Sequence, residues 1–218
     1  MTINTKTLAA IDIGTNAIRL FISNVEEYPT ETLFKKIAFL RVPIRLGEDV
    51  FTTGEIGQQK RKRLCETMQG FSYIMSAFNV ESYKAYATCA MREARNGKSV
   101  AEQIQKECDL NIEIISGTKE AETIFAGGMN EGVDDDKTYL YVDVGGGSTE
   151  VIVYSKSVKV EACSFPLGTV RMLNDAVDKE EMKHFKKWLK NITEKYTPDA
   201  IIGSGGNINK IHKLLNKK

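Results

Sequence analysis

Apolar residues gather in short runs at the start of the chain. Leu8–Ile13 is apolar except for Asp12, and Ala17–Val25 repeats the pattern after Gly14-Thr15-Asn16. Two such runs joined by a Gly/Thr/Asn turn predict a β-hairpin. Leu33–Ile44 supplies a further strand ending near Pro43, followed by a Gly- and Thr-rich stretch over Gly47–Gly57. The period then changes. Leu64, Met68, Phe71, Met75 and Phe78 recur at steps of three and four, which predicts a helix from Gln58 to Phe78 with that face buried. The basic run Lys60–Arg63 at its start reads as a solvated face. Ser82–Thr88 and Ile112–Ile115 read as strands, and Ser99–Cys108 and Gly117–Gly127 as helices.

Met129–Lys137, with Gly132 and Asp134-Asp135-Asp136, is the linker candidate. The acidic triplet reads as a solvated turn, because consecutive side chains diverge. The strand pattern restarts with Thr138–Val144, Thr149–Tyr154 and Val158–Phe165. A helix over Lys179–Tyr196 places Met182, Phe185, Trp188, Leu189 and Ile192 on one face and most of its lysines on the other. Pro198 ends it. Ala200–Ile202 is a short strand, and Gly203–Asn207 leads into a last helix. Strands followed by alternating helices and strands, twice over, indicate two α/β units. The expected domains are residues 1–130 and 131–218.

Composition narrows the function classes. The chain has 218 residues, with 30 Lys plus Arg against 29 Asp plus Glu, a formal net charge of +1. That balance argues against a globally basic nucleic-acid coat, and no DNA-specific binding is expected. Any anionic ligand needs a local site. No apolar run reaches the roughly 18–20 residues of a membrane span, so no membrane partner is expected. Met1–Thr7 is polar and runs straight into a strand, so no secretory leader is expected. Cys65, Cys89, Cys108 and Cys163 are widely spaced, which fits reduced thiols in a cytoplasmic protein better than a disulfide framework.

An internal repeat carries the chemistry. Leu8–Asn24 set on Tyr139–Ser155 without gaps puts Asp12 on Asp143, Gly14 on Gly145, Asn16 on Gly147 and Arg19 on Glu150. Each copy reads apolar strand, Asp-x-Gly, polar turn, apolar strand. The duplication predicts two similar domains whose turns line one cleft. Glycines let backbone N–H groups approach an anion closely. The candidate phosphate-binding residues are Asp12, Gly14, Thr15, Asn16, Gly145, Gly146, Gly147, Ser148, Thr149 and Gly205. Asp143 and Glu150 flank the second turn. Carboxylates beside a phosphate cradle repel phosphate unless a hard cation lies between, which points to Mg²⁺ or another divalent cation. The pattern is neither a P-loop nor a dinucleotide fingerprint.

The motif set DIGTNAIRL (Asp12–Leu20), ATCAMREARN (Ala87–Asn96), IISGTKEAETIFAG (Ile114–Gly127), VDVGGGSTEV (Val142–Val151), FPLGTVRM (Phe165–Met172) and GSGGN (Gly203–Asn207) resembles the exopolyphosphatase/guanosine pentaphosphate phosphohydrolase (Ppx/GppA) family, within the actin–hexokinase–Hsp70 superfamily. The resemblance implies two ribonuclease H-like (actin-like ATPase) domains with mixed sheets. It implies water attack on the terminal phosphate of polyphosphate or pppGpp, with Mg²⁺. It assigns Glu120 as general base and Arg92 as the arginine gripping the phosphate under attack. Asp143 and Glu150 fall on the cation-binding carboxylates. Ala17 stands where the family commonly has serine, and Lys119 where another acid is common. Family members normally continue past Gly203–Asn207, so a second domain lacking its C-terminal helices is expected. A homodimer is compatible with the resemblance. The alternatives are a non-catalytic protein binding polyphosphate or a guanosine penta- or tetraphosphate, and a nucleotide-dependent kinase of the same superfamily.

Overall fold

The structure is a computed structural model, and it describes residues 4–126, 134, 136–156 and 158–215. They group into two compact units, divided between Ile115 and Ser116.

In the first unit, β1 (Asn4–Ile13), β2 (Ile18–Glu27) and β3 (Thr32–Val42) form an antiparallel meander. β4 (Ser82–Ala87) and β5 (Glu113–Ile114) continue the sheet in parallel with β1, in the order β3-β2-β1-β4-β5. The alternating apolar residues of the hairpin explain the core. Ile11, Ile13, Ile18, Leu20 and Ile22 point to one face and are almost fully buried. They meet Leu64, Met68, Phe71 and Met75 of α2 (Gln58–Ala77) and Val100 and Ile104 of α4 (Gly97–Cys108). Phe78, expected on the buried face of α2, caps its C-terminus and is exposed.

Two helices escaped the sequence reading. α1 (Leu46–Thr53) occupies much of the Gly- and Thr-rich stretch. Only two turns long, it buries Leu46 and Val50, one turn apart, and ends on Gly54 in the left-handed region. α3 (Cys89–Glu93) is a single turn directly after β4.

The second unit opens with α5 (Gly117–Ala126). Most of the expected linker, residues 129–133 and 135, lies outside the described residues. Asp134 pairs with Lys137 at 3.0 Å, which holds its carboxyl below the usual range. β6 (Thr138–Val144), β7 (Thr149–Ser155) and β8 (Val158–Phe165) repeat the antiparallel meander, and β9 (Ala200–Ser204) runs parallel to β6. The order is β8-β7-β6-β9. α7 (Lys179–Tyr196) covers one face, and its Phe185 and Trp188 rings stand edge-on to the buried Phe165 at 4.9 and 5.4 Å. Asp178 caps α7 by accepting from the Glu180 N–H. The opposite face, with Tyr141 and Ile152, is covered by Ala121 and Ile124 of α5. Two further helices follow strand ends, α6 (Thr169–Leu173) after β8 and α8 (Gly205–Leu215) after β9. With five residues, α6 is too short to show a helical period in the sequence. Both units are therefore mixed-sheet α/β units of the ribonuclease H-like kind. Among the described residues no helix is long and apolar enough to cross a membrane.

Candidate functional site: two glycine turns

The first turn joins β1 to β2. Gly14 donates to the Ala17 carbonyl at 3.2 Å and closes the loop. The Thr15 and Asn16 carbonyls accept from Gly47 and Arg45, both at 3.0 Å. Carbonyls pinned outward in this way fix the orientation of the loop peptides. Gly47 fits because it has no side chain. A Cβ there would stand 2.4 Å from Thr15 Cγ2. Asp12 lies directly opposite Arg19 in the β1–β2 register, and the two side chains form an ion pair. α3 begins at the same end of the sheet, where Thr88 donates to the Ile13 carbonyl. Arg92, in its last turn, donates to the Ile115 carbonyl at 2.9 Å.

The second turn is built the same way. Gly145 donates to the Ser148 carbonyl at 2.9 Å. The Gly145 and Gly146 carbonyls accept from the amides at the start of α6, Thr169 at 3.1 Å and Val170 at 2.8 Å. Arg171 adds its Nε to the Gly147 carbonyl at 3.0 Å. Gly168 plays the part of Gly47 in a tighter space, since a Cβ there would meet the Gly146 carbonyl group at 2.4 Å. Ser148 and Thr149 are buried, and the Thr149 hydroxyl donates to the Leu167 carbonyl, tying the turn to the segment before α6.

The turns differ in charge. Asp143 lies directly opposite Glu150, and facing residues of an antiparallel pair have Cβ atoms only about 4.5–5.5 Å apart. Glu150 is 1% exposed and accepts from Ser164 Oγ at 2.8 Å. The start of α8 presses on Asp143 from the neighbouring strand. Gly205 has φ +90, and a Cβ there would lie 2.5 Å from Asp143 Oδ1, so both conformation and space call for glycine. Asn207 Nδ2 donates to the Val144 carbonyl at 3.0 Å. The Tyr141 hydroxyl donates to Ser204 Oγ at 2.6 Å. Burial pushes this hydroxyl up, against the lowering effect of that hydrogen bond, and the nearby Asp143 and Glu150 carboxylates add to the rise.

Two facing carboxylates with hard oxygen donors suit a divalent cation, whose other ligands would be phosphate or water oxygens. Among the described residues no group of three or more His, Cys, Asp or Glu side chains is placed to hold a metal alone. Glu120 sits in the first turn of α5, which Ser116 caps by accepting from the Lys119 N–H at 3.1 Å. Its neighbour Ala121 packs on Tyr141 and Ile152. Tyr141 is two residues from Asp143 on β6 and Ile152 two residues from Glu150 on β7, so each pair shares a face and α5 covers the carboxylate side of the sheet.

The sequence repeat therefore continues further than the hairpin. Val42-Pro43-Ile44 and Phe165-Pro166-Leu167 end the third strands alike, each with the last residue donating to the carbonyl of the first, at 3.1 and 2.7 Å. Gly47, Gly168 and Arg171 were missed as loop supports. The shared Pro-plus-aliphatic pair is the signal that marks them.

Each α/β unit is thus built round a glycine turn whose carbonyls are held by amides that follow the third strand. The chain belongs to the Ppx/GppA phosphatase family, whose model matches residues 22–210. It is 32% identical over 168 residues to a bifunctional 3-dehydroquinate synthase/phosphatase of Fusobacterium nucleatum, covering 75% of this chain and 25% of that protein. It is 28% identical over 167 residues to a putative exopolyphosphatase of Haemophilus influenzae, covering 77% and 50%. The chain thus spans half or less of the length of these two relatives. The Ppx/GppA family member of Aquifex aeolicus superposes with TM-score 0.73 at 26% identity, over 97% of this chain and 70% of that one. An exopolyphosphatase of Cytophaga hutchinsonii shares the fold with TM-score 0.82, over 98% and 72% at 24% identity.

Proposed function

We propose that the protein is a phosphohydrolase that releases terminal phosphate from inorganic polyphosphate or pppGpp. The observation that carries this reading is Asp143 facing the buried Glu150 beside the Gly145–Ser148 turn. Phosphate could not settle against two carboxylates without a counter-charge. A divalent cation such as Mg²⁺, held by Asp143 and Glu150, would supply that charge neutralisation. The chain's own groups do the rest. The turns Gly14-Thr15-Asn16 and Gly145–Ser148 present backbone donors to phosphate oxygens. Arg92 offers a fork matched to the phosphoryl group. Glu120 orients water and takes its proton. Soluble phosphorylated substrates and the absence of disulfides among the four cysteines support a cytoplasmic setting.

The test is phosphate release from polyphosphate, pppGpp and ATP, measured side by side with and without Mg²⁺. Release that needs Mg²⁺ and no acceptor supports the reading, and the preferred substrate names the specificity. Tight binding without release makes the chain a sensor. Phosphate transfer that needs an acceptor molecule makes it a kinase.

A further inference from the structure

The second sheet carries a polar row that crosses all four of its strands beside the glycine turn. The registers set Ser164 of β8 against Glu150 of β7, Glu150 against Asp143 of β6, and Asp143 against Ser204 of β9. Neighbouring strands lie about 4.8 Å apart, so each carboxylate has a hydroxyl on its outer side. The two serines are engaged differently. Ser164 Oγ donates to Glu150 at 2.8 Å, so its proton is spent inside the row. Ser204 Oγ instead accepts from the Tyr141 hydroxyl at 2.6 Å. A serine hydroxyl has one proton to give and two lone pairs, so with Tyr141 on one lone pair the proton points elsewhere. Tyr141 is 7% exposed and packs on Ala121 and Ile152, so its hydroxyl is fixed and fixes the Ser204 rotor in turn. Ser204 is half-buried, and the next residue, Gly205, brings its backbone against Asp143 Oδ1. The serine thus stands at the β9 edge of the carboxylate site with a proton to donate. In the first sheet the residue opposite Asp12 is Tyr86, and Ala10 falls on Tyr141 in the repeat. The tyrosine–serine couple therefore belongs only to the turn that has facing carboxylates.

We propose that Ser204 is a further substrate-binding residue, its hydroxyl donating to a phosphate oxygen, and that Tyr141 is the positioning residue that aims it. The inference rests on the phosphohydrolase reading. With Asp143 and Glu150 holding a divalent cation, their lone pairs are turned to it, and the phosphate oxygens that share the cation become the acceptors beside Ser204. Phosphate oxygens are charged acceptors, so a donor whose rotor is already fixed makes the stronger kind of hydrogen bond at little cost in ordering. Direct ligation of the cation is the poorer use of Ser204, since Tyr141 already occupies one of its lone pairs.

The experiment is isothermal titration of the whole chain with inorganic phosphate at saturating Mg²⁺, beside thermal melts with Mg²⁺ alone. Ser204→Ala should weaken phosphate about tenfold, the loss of one hydrogen bond to a charged group. Ser204→Thr keeps the hydroxyl and should retain most of the affinity. Tyr141→Phe keeps the ring in its packing but frees the Ser204 rotor, and should weaken phosphate about threefold. In a Ser204→Ala background the same Tyr141→Phe change should do nothing further, because its effect passes through that hydroxyl. The rise in Tm with Mg²⁺ alone should be the same in the parent and in Ser204→Ala. The inference is overturned by a Ser204→Ala protein that binds phosphate like the parent, or by Tyr141→Phe costing as much affinity without the Ser204 hydroxyl as with it. It is also overturned by loss of the Mg²⁺ response in Ser204→Ala, which would make the hydroxyl a support for Asp143 or a ligand of the cation. A parent that binds no phosphate overturns this inference and the hydrolase reading together, whereas a parent that binds it equally well after Ser204→Ala leaves the hydrolase reading standing.

Discussion

The Asp12–Ala17 turn and the Asp143–Ser148 turn share one backbone and differ in electrostatics. Each closes with a glycine N–H on the carbonyl three residues later. Each has its carbonyls held by amides after the third strand. Yet Asp12 faces a cation, Arg19, whereas Asp143 faces a second carboxylate, Glu150. The first pair is about two-fifths exposed and satisfied in place. The second is buried on its Glu150 side and has like charges opposed. A scaffold that tolerates both pairings leaves the charge at this position open to functional selection. Under the proposed function the duplicated loop would hold phosphate in both copies, and only the second copy, with its facing carboxylates, would also hold a cation.

The largest effect is expected where the second unit has a group with no counterpart in the repeat. Glu120→Gln preserves size and the helix start but cannot take a proton near neutral pH. Phosphate release should fall about 10²–10⁴-fold, roughly 3–5 kcal/mol of barrier, with substrate affinity nearly unchanged. Single-turnover kinetics on a polypeptide of the protein that turns over checks this. Near-parental turnover would move water activation to the cation or to the substrate phosphate.

Next come the two glycines that press on the turns. Gly168→Ala drives a methyl into the Gly146 backbone, which cannot move without dragging the turn with it. Gly47→Ala meets the Thr15 methyl at 2.4 Å and the Phe51 ring at 2.9 Å, both side-chain ends that can give way more readily than backbone. Overpacking costs about 1–3 kcal/mol, and Gly168→Ala belongs at the upper end and Gly47→Ala at the lower. Urea denaturation of both variants gives the ordering, and equal costs would mean the two turns are supported alike.

The hairpins, the α2 and α7 faces and both Asp-x-Gly turns were legible in the sequence because each rests on local periodicity or on glycine. Leu64, Met68, Phe71 and Met75 announce their own burial. What was illegible depends on partners distant in sequence. α1, α3 and α6 are too short for a period to show, and tertiary contacts hold them in place. Gly168 looks like any loop glycine until Gly146 is placed beside it. The expected domain limit near residue 130 rested on composition, whereas α5 groups with the second unit because Ala121 buries against Tyr141 and Ile152. Asp143 and Glu150 were found from the repeat and from the resemblance together, and their direct opposition follows from the antiparallel register.

The charge difference between the turns should show as opposite signs in thermal melts without divalent cation. Glu150→Gln relieves a facing like charge and can still accept from Ser164, so it should stabilise by roughly 0.2–1 kcal/mol. Arg19→Gln deprives Asp12 of this ion-pair partner and should destabilise by a similar amount, roughly 0.2–1 kcal/mol, since the pair is partly exposed. At about 2–4 °C per kcal/mol for a chain of this size, the two Tm shifts are small but oppositely directed. Adding Mg²⁺ should raise the Tm of the parent and of Arg19→Gln, and leave Glu150→Gln where it was. A Glu150→Gln protein still stabilised by Mg²⁺ would remove the cation from this pair.

The smallest effect is expected at the one side chain by which the turns themselves differ in hydroxyl content at the last position. Ala17 is 1% exposed, and its counterpart Ser148 is 4% exposed. Ala17→Ser places a hydroxyl in an enclosed turn, where an unpaired group costs about 1–3 kcal/mol. The second turn shows that this backbone accommodates a buried serine at the matching position. Backbone N–H groups still provide the anion contacts in either case. The cost and the added donor should therefore nearly cancel, leaving stability within about 0.5 kcal/mol of the parent and phosphate affinity within about threefold, under 1 kcal/mol. Isothermal titration with phosphate and a urea melt of the same sample read both quantities. A tenfold gain in affinity would show that the first turn binds phosphate through its side chains, and would end the view that the two turns share a backbone-led grip.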